Sequence, residues 1–310
     1  MVLRGVLLSM SRSDRLRQLA TDAPPARAMV ERFVAGERTQ DAVRASAELI
    51  TSGRLVTLDR LGEDVLDRGQ AEATRDAYLE LLTALHDAGL TGGAEVSVKL
   101  SAVGQALPDD GEKVALEFAH AICAKAAEVG TTVTLDMEDH TTTDSTLGIL
   151  RTLRADFPST GAVLQAYLRR TESDCRDLAH EGSRVRLCKG AYQEPESVAY
   201  QDKGEVDRAY VRCMKILMQG QGYPMLATHD PRLVEIGGAL AVRNDRKPGS
   251  YEFQMLFGVR PEEQQRLAAQ GERFRVYVPY GDQWYGYLVR RLAERPANLA
   301  LLARTLVSKG

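Results

Sequence analysis

The chain has no CxxC pair, no HxH or HExxH spacing, and no apolar run approaching the roughly 20 residues that cross a bilayer. Its four cysteines, Cys123, Cys175, Cys188 and Cys213, are widely spaced. That spacing excludes a zinc ribbon or a dithiol motif and leaves reduced thiols in a cytoplasmic protein as the default. The missing histidine motifs argue against a metal hydrolase built on Asp136, Glu138, Asp139, His140 or His229, so no metal is expected. Net charge is only -3, which fails to mark the chain as a partner of nucleic acid. The first ten residues hold a short apolar stretch, but Arg12, Asp14, Arg15 and Arg17 follow it, and it does not read as a signal peptide. Any membrane contact is therefore expected to be peripheral. No GxGxxG turn follows a strand-like run, which disfavours a doubly wound open sheet.

What is present is ordinary soluble composition, 44% apolar and 27% charged over 310 residues, enough to bury a full core. Residues 13–50 carry helical patterning, with a break near Gly36 and Glu37. Strand-like runs then alternate with amphipathic stretches. The runs are Leu55 to Asp59, Glu95 to Leu100, Thr132 to Met137, Ala162 to Tyr167, Arg184 to Cys188, Pro224 to His229, Tyr251 to Leu256 and Phe274 to Val278. Between them lie helical stretches such as Arg75 to Ala88, Gly111 to Ala127 and Val206 to Gln219, each long enough for a right-handed return. The count and the span of about 250 residues predict a (β/α)8 TIM barrel. The expected organisation is an N-terminal helical arm over 1–50, the barrel over 51–295 and a short C-terminal tail helix over 296–310.

Barrel interiors are usually filled by Val, Ile and Leu, yet here the alternation puts polar residues inward at the ends of the strands. In Val96-Ser97-Val98-Lys99-Leu100 the polar set shares one face, with Lys99 at its C-terminal end. The same phasing brings Asp136, Gln165, Arg186, Thr228, Gln254 and Tyr277 to the ends of six other strands. Any one of these alone could be a solvated rim residue. As a set they call for a polar ligand, because unpaired buried charge costs several kcal/mol, on the order of 3–5. A second signal is helical. Tyr287, Arg290, Arg291 and Glu294 fall at i, i+3, i+4 and i+7, lining one face with a phenol, two guanidiniums and a carboxylate, while Trp284, Leu288 and Leu292 form an apolar stripe to dock on the barrel. A solvated charged face is the plain alternative, but adjacent arginines are well suited to gripping a carboxylate.

These segments are where the chain resembles the proline dehydrogenases. Val96-Ser97-Val98-Lys99-Leu100-Ser101, Leu135-Asp136-Met137-Glu138, Leu164-Gln165-Ala166-Tyr167, Val185 to Tyr192, Ala227-Thr228-His229, Tyr251 to Leu256 and Tyr287 to Leu292 recur in that family's order, over nearly the whole barrel. The resemblance implies a non-covalent FAD and oxidation of L-proline to Δ1-pyrroline-5-carboxylate, with a hydride passing from proline C5 to the flavin N5. It implies that Arg290, Arg291 and Lys99 hold the proline carboxylate, that Tyr277, Tyr287 and Leu256 wall the ring, and that Asp136 supports Lys99 and the arginines. The strand tyrosine is either Tyr277 or Tyr280. On the cofactor side it implies Arg186 at the N5 edge, Gln165 at the pyrimidine edge, Lys189 with Gly190 and Ala191 at the phosphates, Thr228 and His229 at the ribityl or adenosine portion, and Glu294 beside them. It further implies a monofunctional enzyme whose product leaves for a separate pyrroline-5-carboxylate dehydrogenase. Quinone is the implied electron acceptor, which would bring peripheral contact at the inner face of the cell membrane.

Two readings compete. A Schiff-base aldolase would use Lys99 as nucleophile, but leaves the Arg186 to Ala191 segment and Thr228-His229 without a purpose. A non-catalytic amino-acid-binding barrel would keep the carboxylate clamp without a flavin, against the intact cofactor segments. His86, His120 and His180 lie within helical patterns and are given no role. Cys188 would be reactive if exposed. The polar stretch Gln193 to Glu205 is a candidate lid that would exclude water from the reaction.

Overall fold

The computed structural model describes residues 30–293. Eight parallel strands close on themselves in chain order: β1 Leu55–Arg60, β2 Ala94–Val98, β3 Val133–Leu135, β4 Gly161–Gln165, β5 Arg184–Cys188, β6 Tyr223–Ala227, β7 Glu252–Leu256 and β8 Phe274–Tyr280. Every expected strand is found within a few residues of its expected bounds, and the (β/α)8 barrel follows from the closure of β1 on β8, where Thr57 pairs with Tyr277.

Helices return the chain between strands. They are α1 Thr39–Thr51, α2 Arg68–Asp87, α3 Gly111–Glu128, α4 Thr143–Asp156, α5 Thr171–Leu178, α6 Lys203–Gln219, α7 Pro231–Arg243, α8 Pro261–Ala269 and α9 Trp284–Ala293. Their starts are written in the sequence. Asp67 caps α2 by accepting from Gln70 N, Asp202 caps α6 by accepting from Glu205 N, and Asp230 caps α7, whose first residue is Pro231. The helix α2 starts seven residues before the stretch expected from periodicity, because Asp67 and not the first apolar residue sets its beginning. The stripe Val114, Phe118 and Ile122 of α3 is buried against the outward faces of the strands.

The outward strand residues, such as Val56, Leu58, Val96, Val98, Val276 and Val278, belong to this apolar shell between sheet and helices. The inward residues are polar: Thr57, Asp59, Glu95, Ser97, Arg186, Glu252, Gln254 and Arg275 are all nearly inaccessible. Thus the barrel axis holds a hydrogen-bonded charge network instead of the branched aliphatic layers common in this architecture.

The arm has its own small core. Phe33 and Val34 pack with Leu61, Trp284, Tyr287 and Leu288, so the stripe of α9 docks partly on the arm and not on the barrel alone. Trp284 Nε1 donates to Glu37 at 2.9 Å, and Gly281 N donates to Gly36 O at 2.9 Å. Gly258 lets the arm approach: it has φ +72°, and a Cβ there would lie 1.8 Å from Arg32 O. The side chain of Leu292 and the expected tail helix over 296–310 lie outside the described residues. Among the described residues, no helix is long and apolar enough to cross a membrane.

Candidate active site

A cavity of about 440 Å³ opens at the C-terminal ends of the strands, where this architecture carries its sites. It is lined by Lys99, Asp136, Gln165, Arg186, Lys189, Gly190, Ala191, Thr228, His229, Leu256, Tyr277 and Tyr287, all nominated from the sequence. Arg290 and Arg291 belong to α9, but their side chains, like Glu294, lie outside the described residues. Tyr277 lines the cavity, whereas the Tyr280 hydroxyl is buried away from it and has no partner among the described residues. Of the two candidate strand tyrosines, it is Tyr277 that faces the cavity.

Arg186 organises the wall. Its Nε donates to Gln254 Oε1 at 2.7 Å, and its Nη1 to Asp136 Oδ1 at 2.8 Å and Ser97 Oγ at 2.9 Å. The other oxygen of Asp136 accepts from the Tyr277 hydroxyl at 2.7 Å. The guanidinium also lies 5.2 Å from the Tyr277 ring centroid, so a cation, a carboxylate and a phenol hold one another in place.

Among the described residues Lys99 meets Asp59 directly, while Asp136 acts on it by charge. Both oxygens of Asp59 sit 2.7 Å from Lys99 Nζ. Burial alone would lower the lysine pKa, but the Asp59 and Asp136 charges outweigh it and hold the ammonium above the ordinary lysine range. A charged Lys99 is a poor carbonyl nucleophile, which disfavours the aldolase reading. Asp59 was legible in principle, since Val56-Thr57-Leu58-Asp59 repeats the alternation that singled out Lys99.

Gln165 donates through Nε2 to Met137 O at 3.0 Å and Glu138 O at 2.9 Å, while its buried Oε1 has no partner among the described residues. This acceptor calls for a ligand with a donor group. Glu138 itself receives the backbone N–H and hydroxyl of Ser101, yet burial pushes its pKa up to about 7. Beside Gln165, just past the end of β5, Lys189 is ion-paired to Asp207, with Asp230 at 3.6 Å, so its charge is shared before any phosphate arrives. Gly190 has φ +110°, and a Cβ there would lie 2.3 Å from the Tyr167 ring; the turn is open only to glycine. Thr228 Oγ1 accepts from Asp230 N, and His229 Nε2 accepts from Leu256 N at 3.0 Å, which ties the end of β6 to the end of β7.

The stretch Gln193 to Glu205 is tied down: buried Glu194 accepts from His140 N at 2.9 Å, and Ala199 pairs in a bridge with Leu168. Cys188 lines the cavity, but burial pushes its thiol up to about 12, so it is not an activated nucleophile.

The family described as proline dehydrogenase matches residues 42–304. A proline dehydrogenase of Deinococcus radiodurans is 41% identical over 281 residues, covering 90% of each chain. Proline dehydrogenase 1 of Bacillus subtilis is 36% identical over 308 residues, covering 99% of this chain and 100% of that one. Among solved structures, proline utilization A from Bdellovibrio bacteriovorus, inactivated by N-propargylglycine, superposes with a TM-score of 0.79 at 28% identity. The match covers 86% of this chain and 32% of that one, so the present chain spans about a third of that longer protein. With a family match across most of its length and relatives matched nearly end to end, the chain belongs to the proline dehydrogenase family.

Proposed function

We propose that this chain oxidises L-proline to Δ1-pyrroline-5-carboxylate with FAD, at the mouth of the barrel. The observation that carries the reading is the convergence of the nominated residues, wherever they are described, on one cavity. The residues fit a flavin: the lone acceptor Gln165 Oε1 suits an imide N–H, and the turn at Gly190 offers backbone where a side chain would clash. Arg186 and Gln165 would hold the redox and pyrimidine edges, Lys189, Gly190 and Ala191 the phosphates, and Thr228, His229 and Glu294 the remainder. When bound, FAD supplies the acceptor for the hydride leaving proline C5.

The chain's own part is binding and orientation. Lys99, Arg290 and Arg291 grip the carboxylate, which fixes the ring relative to the cavity wall. Tyr277, Tyr287 and Leu256 close around the ring and exclude water. Asp136 keeps the Tyr277 hydroxyl and the Arg186 guanidinium in register. The imidazole of His229 keeps the β6 and β7 ends together beneath Leu256. The barrel with its arm is assigned as the catalytic unit, the product passing to a separate pyrroline-5-carboxylate dehydrogenase. Electrons would go to a quinone met by peripheral contact with the membrane.

The test is spectral. Purified protein should show flavin bands that bleach when L-proline is added without oxygen. Arg290→Ala or Arg291→Ala should keep the bands and lose the bleaching at the same proline concentration, by about 100-fold or more in apparent affinity. Protein that takes up no FAD, or flavin that proline never bleaches, would defeat the reading.

A further inference from the structure

Lys99 reaches the cavity from the end of β2 with an ammonium that is 9% exposed as a residue. An amine in such a place tends to lose its proton, because burial disfavours the charged form. The neighbouring acids are not equivalent. Asp136, after β3, is engaged by Arg186 from β5 and by Tyr277 from β8. Glu138 is taken up by Ser101. Glu63, in the segment after β1, acts on Lys99 by its charge. Only Asp59 on β1 meets Lys99 directly among the described residues, with both oxygens at 2.7 Å. An ammonium has three donors. A carboxylate that engages it with both oxygens leaves donor capacity for an anion in the cavity.

We infer that Asp59 is a positioning residue of the substrate site, holding Lys99 charged and aimed so that a substrate carboxylate meets a fixed cation across the working pH range. The identity of that carboxylate as proline's rests on the proposed function; the state of Lys99 does not. Asp59 lines the same cavity, yet it acts through Lys99, since an anionic substrate gains nothing from touching a carboxylate. The pair also orders the wall between β1 and β2 in a way that neither residue secures alone. Lys99 without Asp59 would keep only the charges of Asp136 and Glu63 against the cost of burial, and Asp59 without Lys99 would be a buried carboxylate facing an incoming anion.

The holoenzyme, Asp59→Asn and Asp59→Glu are compared by two readouts. The first is trace acetylation of Lys99 by an anhydride, followed by mass spectrometry over about pH 6 to 10, with exposed Lys113 as the internal standard. In the wild type, Lys99 should stay less reactive than Lys113 throughout. In Asp59→Asn it should become reactive at least one pH unit lower, and Asp59→Glu should restore most of the protection. The second is the pH dependence of KM for proline. Asp59→Asn should raise KM about tenfold or more at alkaline pH and less at about pH 6, where Lys99 recharges, with a smaller effect on kcat.

Wild-type Lys99 reacting like Lys113 would overturn the inference even if the asparagine variant cannot be purified. So would an unchanged acetylation profile in Asp59→Asn, or a KM raised equally at every pH. A shifted acetylation profile in a protein that never oxidises proline would support the Lys99 assignment while defeating the substrate.

Discussion

Two buried glutamates at opposite ends of the barrel behave in opposite ways. Glu95, at the N-terminal end of β2, is 2.5 Å from Arg184, 3.6 Å from Arg186 and 3.7 Å from Arg275. Burial opposes its charge, but the three guanidiniums overcome this and hold it well below the usual carboxylate range. Glu138, beyond the end of β3, has the hydrogen bonds of Ser101 and the charge of Lys99 in its favour, but burial outweighs them and its pKa rises to about 7. The lower interior is closed electrostatically upon itself, with Arg275 also held by Glu252 at 2.7 Å. The mouth is not: Gln165 keeps an acceptor without a partner among the described residues, and behind the cavity lining Glu138, held by Ser101, has its pKa raised by burial. The difference separates charge that holds the barrel together from polarity set out for a ligand.

The largest effect is expected at the lower end of the barrel. Glu95→Gln leaves Arg184, Arg186 and Arg275 facing a neutral amide and should cost about 3–5 kcal/mol of stability in chemical denaturation. Since the folded pKa of Glu95 is depressed, its contribution is present above the unfolded value of about 4.3 and is lost as pH falls toward the folded one. The wild type should therefore lose stability below about pH 4 more steeply than Glu95→Gln does.

At the mouth, Gln165→Leu removes the open acceptor and the donor to two carbonyls. Flavin affinity should fall by about 10- to 100-fold in equilibrium dialysis, with a smaller drop in apoprotein stability than Glu95→Gln gives. Undiminished flavin binding would show that this oxygen does not meet the cofactor.

Glu138→Gln sharpens the contrast with the sign reversed. A raised folded pKa means that the folded state holds the proton more tightly, so the favourable contribution exists below about pH 4.3 and is lost as pH rises through about 7. The glutamine variant should gain stability relative to wild type at pH 8, by about 1–3 kcal/mol, and gain none at pH 4. Equal differences at both pH values would mean that Glu138 does not titrate in this window.

The smallest effect is expected at Cys188. With its thiol pushed up to about 12, iodoacetamide at neutral pH should leave it unmodified over hours and flavin reduction unchanged. Rapid labelling would place it in a more open setting than the structure shows.

The barrel was largely legible because strand and helix periods are local. Runs such as Arg184 to Cys188 match their strand residue for residue. The inward set was legible for the same reason, since the alternation of a strand fixes which side chains share a face. The partners of those side chains were not. Asp136 lies 37 residues from Lys99 in sequence and Asp59 lies 40, and nothing in either segment says which carboxylate the lysine meets. The same holds for Lys189, whose ion pair comes from Asp207 on α6, and for Glu194, which ties down a segment that reads as a loose polar stretch. Of the expected arm over 1–50, residues 1–29 lie outside the described residues; the rest reads as helix and folds so, but its seat against Trp284 and Leu288 follows from Gly258, whose lack of a side chain matters only once Arg32 is brought beside it.

By itself the sequence determined the architecture, the face of each strand and the family, because these depend on residue order and local period. Tertiary structure alone decided which acid neutralises which base: Asp59 with Lys99, Asp136 with Arg186, three arginines with Glu95. Pairing depends on distances across a closed barrel, where strands far apart in the chain stand within hydrogen-bond reach, and in that buried interior an ångström decides whether a charge is held or released.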